Sequence, residues 1–508
     1  MITLRHKPGQ LLGFTLPPPR PRQLLWLTGL VGLGLIIAWL PLSQAILVLG
    51  GTGLLTLLLI WPNLSVFLLI PIIPFSPLVA TTIGGVKIGL MEIVLFLGVV
   101  AWLLKLATTQ TELRRQLMGQ PAFGSRPVLL LPFLVFLAGV SLSWLTALSI
   151  GASLVETLKW VEMLALYLLI VALLPARHLT WAVAVILLTG IAQATLGLYQ
   201  FIFKVGPEGF LLFGGRFLRA YGTFAQPNPY GGYLGLILPL GLALTLWAWF
   251  DFRSRRRLTA ASLVFLLGVS LSLSILLAAL FVSQSRSAWL GFGLSSLVIL
   301  AIYNKKTAVA LATAVLAGTL IVLAGAFDVG GASVNATYGV IIQRLVEARS
   351  IFTLTDVAGI EVTDANFAII DRLAHWQAAA NMWRDHPWLG VGFGNYAVVY
   401  PAYAVGRWLD SLGHAHNYLL NLGAETGLIG IIVYLIFWIF AFGVLWRAMH
   451  RATGLHRAVA VGAIGTFVHL HVHNFFDNLY VQGMYLHLAI LLALISIIYQ
   501  GNQLEKVV

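Results

Sequence analysis

The chain has 508 residues, 59% of them hydrophobic and only 9% charged, and its mean hydropathy is +0.93. That composition excludes a soluble globular fold and points to a polytopic membrane protein. The formal net charge of +13 does not signal a nucleic-acid partner, because the basic residues sit in short clusters between apolar runs long enough to span a bilayer.

The N-terminal stretch "RHKPGQLLGFTLPPPRPRQ" is basic and proline-rich and leads into an apolar run without a small-residue cleavage site. It predicts a cytoplasmic tail over 1–22 and a retained signal anchor. Hydropathy then places spans near 23–40, 44–60, 64–82, 88–106, 128–148, 154–174, 179–203, 230–250, 259–283, 286–303 and 307–327. Three more follow near 415–446, 458–477 and 480–499. Pro71, Pro74 and Pro77 kink the third span or break it into a re-entrant segment, so the expected fold is all-α with about 12–14 transmembrane helices. The corresponding organisation is transmembrane helices over 23–327, a large outer loop over 328–414, C-terminal helices over 415–499 and a tail over 500–508. With the N-terminus inside, most of the 30 Lys and Arg fall in cytoplasmic loops, among them "ELRRQ", "FRSRRRL", "NKK" and "RAMHRATGLHR".

This topology sends residues 204–229, the join at 283–287 and the loop 328–414 to the outer side. Within the long loop, "IIDRLAHWQAAANMWRDHP" sets Ile369, Leu373, Trp376, Ala380 and Trp383 on one helical face, predicting an amphipathic helix on the membrane surface that Pro387 ends. The following "GVGFGNY" lacks a preceding strand and a ribose-binding acid, so it predicts a turn and no dinucleotide site.

Four stretches occur in a fixed order: "RAYGTFAQPNPYGGYLGLILPL" at 219–240, "SQSRSAWLGF" at 283–292, "DRLAHWQAAANMWRDHPWLGVGFGNY" at 371–396 and "HAHNYLLNLGAETGLIG" at 414–430. Together they resemble the O-antigen ligase and O-antigen polymerase superfamily of bacterial envelope glycosyltransferases, over roughly the C-terminal 300 residues. The resemblance implies a GT-C-type helical fold and an undecaprenyl-diphosphate-linked glycan donor. It also implies a lipid A-core or glycan acceptor, no cofactor or metal, and work at the periplasmic face of the inner membrane. It places the family's functional arginines on Arg219 and Arg286 and its histidine on His416. Arg372, Asn228, His414 and Asn417 stand beside them as candidate substrate-binding residues, with a structural role the first reading of His414 and a helix cap that of Asn417. The chain departs from the common pattern at Gln226, at the second histidine, His414, and in extra N-terminal spans.

The chemistry of these residue types agrees with that assignment. A glycosyl diphosphate gains charge as its anomeric C–O bond breaks, and Arg offers planar, permanently protonated donors matched to phosphate. The acceptor hydroxyl must lose a proton, which a neutral His accepts near neutral pH. The outer acids form no Asp-x-Asp pair of the kind that holds a divalent ion, and the absence of cysteine excludes thiolate metal sites. Isolated interfacial arginines also snorkel to lipid headgroups, which is the competing account of Arg219 and Arg286.

Three further features stand out. Gly423 and Gly427 form a GxxxG pair suited to close helix packing, and Glu425 is too far along that helix to orient His416. In "HLHVHNFFDN", His469, His473 and Asp477 fall at helical spacing on one face, as a polar stripe or a metal site. Glu156 and Lys159 are placed to pair at i, i+3. A transporter of a small solute such as bicarbonate is the alternative functional class, although the chain shows no internal repeat of the kind transporters use.

Overall fold

The computed structural model describes residues 38–108, 126–313 and 357–504, apart from short stretches at 79, 84–85, 213–214, 255–258, 358 and 363–366, and also Gly32 and Gly34. The predicted spans over 23–40 and 307–327 lie largely outside the described residues, as does the loop from 328 to 356. The chain divides into two units, residues 1–60 and 61–508. The first contributes one described helix, α1 (Leu42–Ile60).

In the second unit, α2 (Leu64–Phe75) holds Pro71 and Pro74 and gives way to a 3-10 turn at Ser76–Leu78. The chain then reverses in an antiparallel hairpin, β1 (Ala80–Ile83) with β2 (Val86–Gly89). The apolar run predicted to span from 64 to 82 is therefore a short helix and the first arm of a hairpin. Each proline removes a backbone donor, and the β-branched residues that follow favour extended chain.

Long helices come next: α3 (Leu90–Thr108), α4 (Leu130–Ser141), α5 (Ile150–Leu173), α6 (Leu179–Phe203), α7 (Pro227–Ser254), α8 (Ala260–Ser283) and α9 (Arg286–Tyr303). A two-residue hairpin, β3 (Leu211–Leu212) with β4 (Phe217–Leu218), precedes α7. The C-terminal part holds α10 (Phe367–Asp385), the single turn α11 (Tyr396–Val399), α12 (Tyr418–Arg451), α13 (Gly454–Asn474) and α14 (Met484–Leu504). This is an all-α, polytopic membrane architecture, and 7 helices among the described residues are long and apolar enough to cross a bilayer. α4 is only 12 residues before it tightens into a 3-10 turn, and α5 carries Glu156, Lys159 and Glu162.

α7 lies at the centre, packed by α8, α9 and α13. Its approach to α13 depends on small residues. A Cβ at Gly235 would fall 1.9 Å from the His469 ring, and one at Gly462 would fall 2.7 Å from the Leu240 Cα, so both positions need glycine. The Thr466 hydroxyl, buried in the same seam, donates to the Leu236 carbonyl at 2.9 Å.

α12 is broken at Gly427, whose φ of 62° and ψ of −161° lie outside helical space. The break frees backbone groups on both sides, and the loop after α10 takes them up. Val391 and Gly392 donate to the Ala424 and Glu425 carbonyls at 2.9 Å each, while Leu428 and Ile429 donate to the Pro387 and Trp388 carbonyls at 2.8 and 3.3 Å. The Glu425 carboxylate accepts from Tyr396 N at 3.1 Å. Gly423 does serve packing, against the Trp383 ring, whereas Gly427 is a break point where a Cβ would fall 2.2 Å from the Trp388 backbone. The predicted turn at "GVGFGNY" is present, with positive φ at Gly390, Gly392 and Gly394.

The expected surface-lying amphipathic helix differs more. Ile370, Leu373, Trp376 and Met382 of α10 are buried together with Ala374, Ala378 and Ala379, in a cluster that includes Tyr396, Tyr400, Trp408 and Ala424. The segment 391–408 folds over the helix, so its apolar face meets protein.

Candidate active site

Arg219 follows the small β3–β4 hairpin, and its backbone N donates to Phe210 O at 2.9 Å. Its guanidinium is fastened in place: Nε donates to Ser283 O at 3.2 Å, and Nη2 donates to Asn228 Oδ1 at 2.9 Å and Gln284 O at 3.3 Å. Those carbonyls are exposed because α8 ends in a left-handed residue, Gln284 with φ 53°, immediately before Arg286 opens α9. Asn228, placed in the first turn of α7, thus holds the arginine. The charge of Arg372, on α10, also acts on Arg219. Burial first, then the charges of Arg286 and Arg372, push the Arg219 pKa down to about 10, so it stays protonated at neutral pH within a concentrated positive field.

The histidine side is built from the "GHAHN" turn. His416 sits at φ 53°, a left-handed conformation that a non-glycine residue keeps only when its surroundings fix it. They do so through four contacts. Trp376 Nε1 donates to His416 O at 3.2 Å, His416 N donates to His414 Nδ1 at 3.1 Å, Ala415 N donates to Asn421 Oδ1 at 3.0 Å, and Asn417 caps α12 by accepting from Leu420 N at 3.0 Å. The His414 and His416 rings lie 4.5 Å apart, and the buried His375 ring stands edge-on to His416 at 5.7 Å.

Asp477 completes this group. Its Oδ1 lies 3.5 Å from His416 Nδ1 and 3.9 Å from His414 Nε2. α13 stops at Asn474, so the expected stripe of His469, His473 and Asp477 does not exist as one helical face. Asp477 turns toward the "GHAHN" loop, His469 is enclosed by Gly235 and Gly291, and His473 Nε2 lies 3.5 Å from the Ser287 hydroxyl beside Arg286. Burial alone would raise the Asp477 carboxyl, but contact with His416 and the nearby His414 and His473 rings hold it below the usual carboxylate range.

His414, His416 and Asp477 present ligand atoms all within 4.8 Å of one another, the spacing of a cation site. The proton positions oppose one. His414 Nδ1 accepts the His416 N–H, so the neutral ring carries its own proton on Nε2, the nitrogen that faces Asp477. Beside Asp477, His414 would therefore offer a metal no lone pair. The same logic orients His416: Nδ1–H toward Asp477, 3.5 Å away, leaves the lone pair on Nε2, and among the described residues both ring nitrogens are buried without a hydrogen-bond partner.

The O-Antigen ligase family model matches residues 271–435. Over these residues the chain is similar to the O-antigen ligase family. The match supports the O-antigen ligase and polymerase superfamily and, in general terms, a membrane enzyme that transfers glycans between a lipid-linked donor and an acceptor. It gives no support to the transporter alternative. The segment contains Arg286, Arg372, His414 and His416; it begins after Arg219 and Asn228 and ends before Asp477. No curated protein matches the chain.

The electrostatics of the histidine loop predict an acid limit. Burial, only partly opposed by Asp477, pushes the His414 pKa down to about 4. The unfolded value is about 6.5, so between these pH values the unfolded chain holds a proton that the folded chain does not. Stability contributed by neutral His414 is therefore complete above about pH 6.5 and declines as pH falls toward about 4. Thermal unfolding followed across this window should show the decline in the wild type and a smaller one in His414→Asn; equal slopes would contradict the assignment.

Proposed function

We propose that this chain is an inverting, metal-independent glycosyltransferase that moves a glycan from a polyprenyl diphosphate, of the undecaprenyl type, to an acceptor hydroxyl. The observations that carry the proposal are Arg219 under the charge of Arg286 and Arg372, and a histidine, His416, whose Nδ1 faces a carboxylate and whose Nε2 has no hydrogen-bond partner among the described residues. In this reading Asp477 holds the His416 ring and favours the imidazolium formed on it. His416 Nε2 takes the proton of the acceptor hydroxyl as its oxygen bonds to the anomeric carbon. The C–O bond to the diphosphate breaks, its electron pair goes to the diphosphate, and the arginines neutralise the charge that grows there. A single displacement inverts the anomeric centre. The tautomer of His414 supports working without a metal at this loop.

The proposal assigns the site to the periplasmic face of the bacterial inner membrane, which the distribution of Lys and Arg favours. Ligase and polymerase reactions need the same groups, and they differ in the accumulated product of a deletion strain: long chains on the carrier lipid for a ligase, single repeats for a polymerase.

Asp477→Asn is the experiment that probes the orienting carboxylate. The substitution keeps the side chain's size but can present an amide N–H to His416 and favour the wrong tautomer. Turnover should fall about 100-fold or more with donor binding retained, and Asp477→Glu should restore part of the rate. Wild-type turnover in a folded Asp477→Asn protein would remove the carboxylate from the mechanism.

A further inference from the structure

A cavity of about 910 Å³ lies between α3 and α5, outside the residues assigned above to catalysis. Its walls are apolar, with Phe96 and Ala165 among them, and Phe96 is 67% exposed on the surface of the bundle. The cavity is thus a groove entered sideways, from the apolar surroundings of the helices. One end of it is polar. Glu92 accepts from Gly89 N at 2.8 Å, Lys159 pairs with Glu156 at 2.5 Å, and the Tyr485 hydroxyl donates to Glu162 at 2.5 Å. Carboxylates and a lysine on helices of this kind are costly unless they serve a ligand or one another.

Two observations tie this groove to the site. Lys159 Nζ also donates to the Tyr480 carbonyl at 3.5 Å, three residues beyond Asp477, and its charge acts on His414. Thr223, on the segment joining Arg219 to α7, lines the groove as well. Earlier residues of that segment line a separate, smaller cleft of about 220 Å³, whose walls include Phe201, Phe217, Phe281 and Arg219. Phe281 is 63% exposed, so this cleft is also open sideways. The two differ in charge. Arg219 suits a diphosphate; Glu92 and Glu162, with a lysine already neutralised by Glu156, repel one and accept hydrogen bonds from hydroxyl groups.

We propose that the groove between α3 and α5 docks the acceptor as an amphiphile, its apolar chain along Phe96 and Ala165 and a hydroxyl-rich, phosphate-free part of its head over Glu92, Lys159 and Glu162. This rests on the glycosyl-transfer reading given above and adds to it that the two substrates enter through separate openings lined by different residues of the 217–225 segment. The donor diphosphate occupies the arginine side, and the acceptor hydroxyl reaches His416 from the lysine side.

The test uses the full chain in nanodiscs and two photoreactive probes. One is an alkyl glucoside with a diazirine in its chain, and the other a polyprenyl diphosphate with a diazirine in its first isoprene units. The glucoside should label peptides covering 90–99 and 155–165, and excess unlabelled polyprenyl diphosphate should not displace it. Ala165→Trp fills the groove and should reduce this labelling about 10-fold, equivalent to about 1.4 kcal/mol, while polyprenyl diphosphate binding stays intact. Phe96→Ala, at the exposed mouth, should weaken labelling as well and provides a second variant if the tryptophan protein fails to fold. Labelling of the groove by the diphosphate probe would overturn the proposal, as would displacement of the glucoside by phosphatidylethanolamine to the same extent as by unlabelled glucoside. Turnover that saturates with acceptor but is insensitive to Ala165→Trp would sink the groove alone; groove labelling without any glycosyl transfer would sink the transfer reading instead.

Discussion

His416→Ala is expected to bind the polyprenyl diphosphate donor as the wild type does and to lose turnover by about 100-fold to about 10,000-fold, the range typical of a general base. The split follows from where the proton is needed. Donor binding rests on the arginine side, whereas the His416 imidazole acts only when the acceptor oxygen attacks. Alanine also removes the group that faces Asp477, leaving a buried carboxylate beside His414. Some stability should be lost with it, so donor binding and thermal unfolding need to be followed on the same preparation. Near wild-type turnover in folded His416→Ala would withdraw the base assignment and transfer the question to His414.

Arg219→Ala and Arg286→Ala should instead weaken donor binding and turnover together, because the diphosphate is charged before reaction and more so during it. Arg219 should show the larger structural component: its three hydrogen bonds to Ser283, Gln284 and Asn228 hold the α8–α9 join against α7. Lysine at either position should restore only part of the affinity, since a point charge cannot reproduce two-pronged contact with phosphate. Binding measured with the sugar-free polyprenyl diphosphate should fall as much as with the full donor. Donor affinity unchanged in both alanine variants would leave snorkelling to lipid headgroups as the account of these arginines.

The parts of the site that were legible in the sequence are those carried by short, continuous motifs. Arg286 at a helix start, Arg372 within an amphipathic pattern, and His416 ahead of an asparagine cap each have local signals, and the charges of Arg286 and Arg372 act on Arg219. Asp477 was misplaced because only Asn474, a weaker stop signal than glycine or proline, marks the end of the helix in "HVHNFFDN". No glycine or proline marks Asn474, and the apolar and histidine spacing continues in register past it. Its partnership with His416 spans 61 residues of sequence, which periodicity cannot register. Gly427 misled in a similar way. GxxxG is a packing signal, but the break depends on a loop some forty residues earlier whose amides and carbonyls replace those of the helix. The hairpin at 80–89 did have a signature, paired glycines between β-branched residues in "TTIGGVKIG", and the surrounding hydropathy masked it. Long apolar helices, by contrast, were readable to within a few residues at their ends, because their length and composition are set by the bilayer itself.

The central claim, direct inverting transfer from a lipid diphosphate without a metal, meets its most direct test in the anomeric configuration of the product. Purified protein is given a polyprenyl diphosphate glycan of defined configuration and an acceptor in the presence of excess chelator, and the product is analysed by NMR. The account predicts a glycosidic bond of inverted configuration, one polyprenyl diphosphate released per bond formed, and a rate indifferent to the chelator. A retained configuration, or transfer abolished by chelator and restored by a divalent ion, would contradict it and return His414, His416 and Asp477 to consideration as metal ligands.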